Sequence, residues 1–117
     1  MEEFIRALKE ENASLIGQAA QLRDQNKQDE AVFCTVKANV YDICATVCRV
    51  HHSKGDISAF SVILKRFENE WSAALEAAKR QNDAKKICVE ETKLEALADV
   101  CARFAAAARA AATCWST

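Results

Sequence analysis

Apolar positions recur three and four residues apart along almost the whole chain, the spacing of helices that bury one face. At 100° per residue, Ile5, Leu8, Leu15, Ala19 and Leu22 share one stripe, with Phe4 and Ile16 on its flanks. They predict a first helix over about residues 2–25. A polar run from Arg23 to Glu30 follows. In it Asn26 suits a C-terminal stop and Asp29 an N-cap. A second helix, over about 30–53, carries two neighbouring stripes. The main one is Phe33, Val36, Val40, Ile43, Val47 and Val50; the second is Cys34, Ala38, Tyr41, Ala45 and Cys48. Only Thr35, Asn39, Asp42, Thr46 and Arg49 remain as a polar face. A helix this apolar needs cover on more than one side, so it is either the central helix of a bundle or half of a subunit interface.

The sharpest boundary is Ser53-Lys54-Gly55-Asp56. Gly55 suits the left-handed position after a helix, and Asp56 suits the N-cap of the next. The third helix, over about 57–80, has the stripe Ile57, Phe60, Leu64, Phe67, Trp71, Ala74, Leu75 and Ala78. Its continuation would fall on Asn82 and Lys85, which are polar. The next apolar set, Leu94, Leu97, Cys101, Phe104 and Ala108, is rotated by roughly 135° in the same count. A break is therefore expected near Gln81–Asp83, with a fourth helix over about 84–112 and Cys114 to Thr117 as a tail whose Trp115 is free to fold back. One unbroken helix from 57 to 112 would be roughly 84 Å long and could not bury its stripe in a compact monomer. Short connections make neighbouring helices antiparallel. The expected fold is all-α: a single-domain, up-and-down bundle of four helices.

Composition narrows this further. The chain has no proline and two glycines, Gly17 and Gly55, too few turn residues for a sheet protein. A net charge of −1 gives no electrostatic footprint for nucleic acid. No apolar run approaches the roughly 18 residues of a membrane span, and Arg103 and Arg109 interrupt the alanine stretch near the C-terminus. The start, Met1-Glu2-Glu3, lacks the basic opening of a signal peptide. A cytoplasmic protein with its six cysteines as thiols is expected, without nucleic acid or membrane as partner.

The candidate metal set is Cys44, Cys48, His51 and His52, of which residues 44, 48 and 51 lie within about 60° of arc on the second helix. Thiolate and imidazole suit zinc, but structural zinc sites draw ligands from more than one element. Cys44, Cys48 and Cys101 are expected instead to fill core space as small hydrophobes, and the histidines to solvate the helix end and complement its dipole. No metal and no cofactor are expected. The Glu-x-x-His pairs of a di-iron bundle are missing. Glu90, Glu91 and Glu95 read as a solvated acidic face. Cys48 and His52 sit one turn apart, yet no loop is long enough to build an oxyanion hole, so an enzyme is not expected.

The first helix carries another signal. Ile5, Leu8, Asn12, Leu15, Ala19 and Leu22 alternate as a and d positions, with leucine at every d. Asn12 stands where a polar residue fixes the register of paired helices. The function expected is a non-enzymatic interaction or assembly module, self-associating as a homodimer and engaging an unidentified protein partner. Its interface is expected at Leu8, Asn12, Leu15, Cys34, Tyr41 and Cys48. The alternatives are a metal- or thiol-dependent sensor at Cys44, Cys48 and His51, or a small-ligand carrier lined by Phe60, Phe67, Trp71 and Phe104.

Overall fold

Three residues in the left-handed backbone region divide the chain: Asn26 (φ 62°), Gly55 (φ 72°) and Asn82 (φ 53°). After each, the next amide reaches back five residues: Lys27 to the Leu22 carbonyl, Asp56 to His51 and Asp83 to Ala78. The same helix stop is thus used three times, and it satisfies carbonyls that the helix end would leave bare. The computed structural model describes residues 1–115, with side chains through Ala111. Between the stops run α1 (Glu2–Asp24), α2 (Gln28–Ser53), α3 (Ser58–Arg80) and α4 (Ala84–Trp115), with no strand among the described residues.

The expected helices are all present, and the details differ at their ends. Asp29 lies inside the first turn of α2, and neither Asp29 nor Asp56 caps a helix; α2 and α3 begin without a side-chain cap. Helix α2 starts at Gln28, one residue before Asp29, whereas α3 starts at Ser58 with Ile57 in the N-cap position, one residue after Asp56. Asp83 does cap: its Oδ1 accepts the Lys86 amide at 3.1 Å at the start of α4. Helix α4 runs past Ala112 to Trp115, because nothing in the alanine-rich run stops it. The tail expected from Cys114 is therefore helical backbone through Trp115. The fold-back of the Trp115 side chain, and Ser116 and Thr117, lie outside the described residues.

Side-chain pairs fix the arrangement. Asn12 meets Ala38 and Arg23 meets Thr35, so α1 and α2 run antiparallel. Phe60 near the start of α3 meets Phe104 late in α4, so these two are also antiparallel. Lys37 meets Glu95 and Tyr41 meets Asp99, both 58 residues apart, so α2 and α4 lie side by side in the same direction. They form the central pair, with α1 laid along α2 and α3 along α4.

The two ends of the bundle are filled differently. Phe4, Phe60 and Phe104 interlock at one end, with ring centroids 5.0–6.1 Å apart. Each such pair adds about 0.5–1.5 kcal/mol beyond its buried area. Toward the other end Ala19, Ala31 and Ala78 are buried and let the helices close up at the turns.

Helix α2 reverses the expected order of its stripes. The second stripe is the core: Ala38, Tyr41, Ala45 and Cys48 are all buried and Cys34 is half-buried, and Cys44, which lies between the two stripes, is buried with them. Of the main stripe only Val40 is buried; Ile43 and Val50 remain exposed. Small residues win the inner face because they let α1 and α4 approach closely on both sides. By length and hydropathy α2 is also apolar enough to cross a membrane, contrary to the sequence expectation that no segment is. In the fold it is the central helix.

Candidate functional site

Three helices are tied by a polar network at mid-height. The Tyr41 hydroxyl on α2 donates to Asp99 Oδ2 on α4 at 2.5 Å. Arg103, one turn further along α4, donates from Nε to the same oxygen at 3.0 Å and from a terminal nitrogen to Glu11 Oε1 of α1 at 2.9 Å. Its guanidinium lies 6.0 Å from the Tyr41 ring centre. Next to Glu11, Asn12 donates from Nδ2 to the Ala38 carbonyl at 2.8 Å. Burial, then the hydrogen bond to Asp99, raises the Tyr41 pKa. Burial works against the Arg103 charge, but the Glu11 hydrogen bond and the nearby carboxylates outweigh it and raise its pKa. Tyrosine is thereby fixed as a donor and arginine as a cation. The network ties α1, α2 and α4 together.

The thiols gather beside the aromatic end. Burial pushes Cys44 up to about 12, and neighbouring Cys101 and Cys48 add to the shift, since a thiolate at one would repel a thiolate at another. Burial pushes Cys48 up to about 11 against the pull of the Met1 amino group. Burial and Glu68 raise Cys101, with Lys65 opposing. Thiols held protonated in this way are poor nucleophiles and costly metal ligands. His51 is half-buried and His52 exposed beside Glu2 and Arg49. Among the described residues no three His, Cys, Asp or Glu side chains come together as a set able to hold a metal ion. The five cysteines with described side chains are free thiols, and Cys88 is the exposed one.

The aromatics proposed to line a carrier site are packed on each other. Phe60 is fully buried within the phenylalanine cluster, and Phe67 stacks on Trp71 at 5.1 Å. A cavity of about 350 Å³ lies elsewhere, where α2 and α4 begin, lined by Asp29, Val32, Phe33, Ala84, Lys85, Cys88 and Val89.

The expected interface is largely used up within one chain. Leu8, Leu15, Tyr41 and Cys48 are buried in the bundle, so they are not available to a second copy. Asn12 is held by Ala38, and half-buried Cys34 sits against Gln18. The a/d stripe of α1 finds its partner in α2 of the same chain.

The acidic face of α4 also needs correction. Glu91 and Glu95 are exposed, but Glu90 is only 5% exposed. Its Oε1 pairs with Lys93 Nζ at 3.2 Å, Lys93 lies 5.6 Å from the Trp71 ring centre, and Oε2 is buried without a hydrogen-bond partner. The signal was in the sequence: Glu90 falls on the same arc of α4 as Leu94 and Leu97.

Among the described residues Val62 on α3 and Ile16 on α1 are the most exposed large apolar side chains, each alone on its helix, whereas α2 leaves several uncovered on one arc. Val32, Ile43 and Val50 are 41%, 42% and 43% exposed, and Val36 and Val47 are half-buried beside them. All five lie within about 60° of arc. Comparison with known protein families, with curated proteins and with solved structures gives no match.

Proposed function

We propose that this chain is a non-enzymatic helical interaction module of the cytoplasm that self-associates through the uncovered stripe of α2. One observation carries the reading. Helix α2 keeps Val32, Ile43 and Val50 exposed on one arc, with Val36 and Val47 half-buried beside them, over a length of about 27 Å at 1.5 Å per residue. Single exposed valines are ordinary on a protein surface, but a line of them along one helix marks a contact surface. The sensor reading has less support, because burial raises the thiols of Cys44 and Cys48. The carrier reading has less support because its aromatics are occupied by one another.

Sedimentation from roughly 10 μM to 1 mM, where a small interface becomes occupied, tests the proposal. The wild-type chain is expected to shift from monomer to dimer across that range. Ile43→Lys should remain monomeric with an unchanged melting temperature, because Ile43 already stands half in water. A wild-type chain that stays monomeric throughout, or an Ile43→Lys chain that dimerises as well as wild type, overturns the reading.

A further inference from the structure

The uncovered face of α2 has a heptad seam and charged flanks that together specify a partner and a direction. Val32, Val36, Asn39, Ile43, Thr46 and Val50 follow one another at alternating steps of four and three residues, the spacing of a helix–helix seam. Asp42 and Arg49 each stand one residue before a seam position, Ile43 and Val50, so both occupy the same flank. Both are exposed, and neither forms a hydrogen bond or ion pair with another described residue. Thr35, the third residue of that flank, is already engaged by Arg23. The opposite flank holds Val40 and Val47.

We infer that α2 docks antiparallel against α2 of a second copy, about a two-fold axis level with Ala45, with Asp42 of each copy paired to Arg49 of the other. The inference rests on the self-association proposed above and adds its register. In an antiparallel pair like flanks meet, so the acid and base of one copy face the base and acid of the other, twice. In a parallel pair unlike flanks meet, and Asp42 and Arg49 would face the opposite flank, where Val40 is buried in its own chain and half-buried Val47 offers no counter-charge. The same register sets Ile43 against Thr46 and Val50 against Asn39 of the second copy. One helix carries both complementary charges at positions that a two-fold axis exchanges, which points to a second copy rather than a different chain. A contact about 27 Å long and one helix, roughly 10 Å, wide covers only about 270 Å² of each copy's face, short of the roughly 1,200 Å² in total of a standard interface, so the dimer is weak and its charges matter.

The test uses the full chain and two reversals, Asp42→Arg and Arg49→Asp, alone, combined in one chain, and mixed as two chains. Each single variant places like charges across the axis, and its dimer dissociation constant is expected to rise by about tenfold. The doubly reversed chain should return to within about threefold of wild type, and the two single variants mixed one to one should form a heterodimer tighter than either homodimer. Both effects should shrink at high salt, since the pairs lie at the rim. Urea unfolding of each variant checks that the monomer is unaffected, as expected for two residues without partners in the chain. A doubly reversed chain as weak as the singles, with no heterodimer on mixing, overturns the register while Ile43→Lys still reports self-association. A wild-type chain that remains monomeric overturns both.

Discussion

Raising the pH should destabilise this bundle through its buried thiols. Cys44 and Cys48 are completely covered in the core, and burial lifts them from an ordinary value of 9.0 to about 12 and about 11. Both pKa values are raised on folding, so the stability they contribute is fully present below pH 9 and is lost as pH rises through the folded values. At pH 10 an unfolded thiol has lost its proton in roughly nine chains of ten, while the folded thiols keep theirs. One pKa unit corresponds to about 1.4 kcal/mol, so the loss between pH 8 and pH 10 comes to about 1.4 kcal/mol per thiol, or about 3 kcal/mol for the pair. Against a total stability of about 5–15 kcal/mol this is readily measured. The assay is urea unfolding followed by far-UV circular dichroism at pH 8, 9 and 10 under reducing conditions. The control is the Cys44→Ala/Cys48→Ala chain, which starts less stable by about 1 kcal/mol per site from lost packing but should lose much less on going to pH 10. Ionisation of Cys44 and Cys48, read as the difference in thiolate absorbance between the wild-type and the Cys44→Ala/Cys48→Ala chains, should coincide with unfolding rather than precede it. Equal loss of stability in the wild-type and double-alanine chains would refute the argument and assign the alkaline transition to other groups. Tyr41, whose pKa is also raised by burial and by Asp99, adds to the loss only above pH 10.

Other substitutions separate the remaining interactions. Tyr41→Phe keeps the buried ring and leaves Asp99 paired to Arg103, so it should cost only about 1 kcal/mol in chemical denaturation. Lys93→Met strands the Glu90 carboxylate and should cost about 3 kcal/mol, whereas Glu90→Met removes the unpartnered oxygen and should stay within about 1 kcal/mol of wild type; the reverse order of melting temperatures would show that Glu90 is solvated. Gly17→Ala should raise stability by about 0.5–1 kcal/mol, since an added Cβ meets nothing within 4 Å in α1. Gly55→Ala should lower it by about 1 kcal/mol, because φ there is +72°; equal effects at the two glycines would contradict the left-handed stop.

Four helices and three breaks were legible in the sequence because helical phase and stop residues are local properties. The jump of the apolar arc after Ala78 located the turn that Asn82 makes, and Gly55 announced its own conformation. The arc of α4 also carried Glu90 among leucines, a buried acid that its acidic neighbours concealed. What the sequence could not decide was which of two adjacent stripes on α2 faces inward. Both have helical spacing, and hydrophobicity alone favours the larger side chains. Tertiary structure chose the smaller ones, because two helices can close on α2 only where Ala38, Cys44, Ala45 and Cys48 leave room. The choice left Val32, Ile43 and Val50 exposed and buried Tyr41 and Cys48, two of the residues first assigned to an interface. The network of Glu11, Tyr41, Asp99 and Arg103 lay equally beyond local pattern, since its members come from three helices and meet only after α2 and α4 lie side by side in one direction.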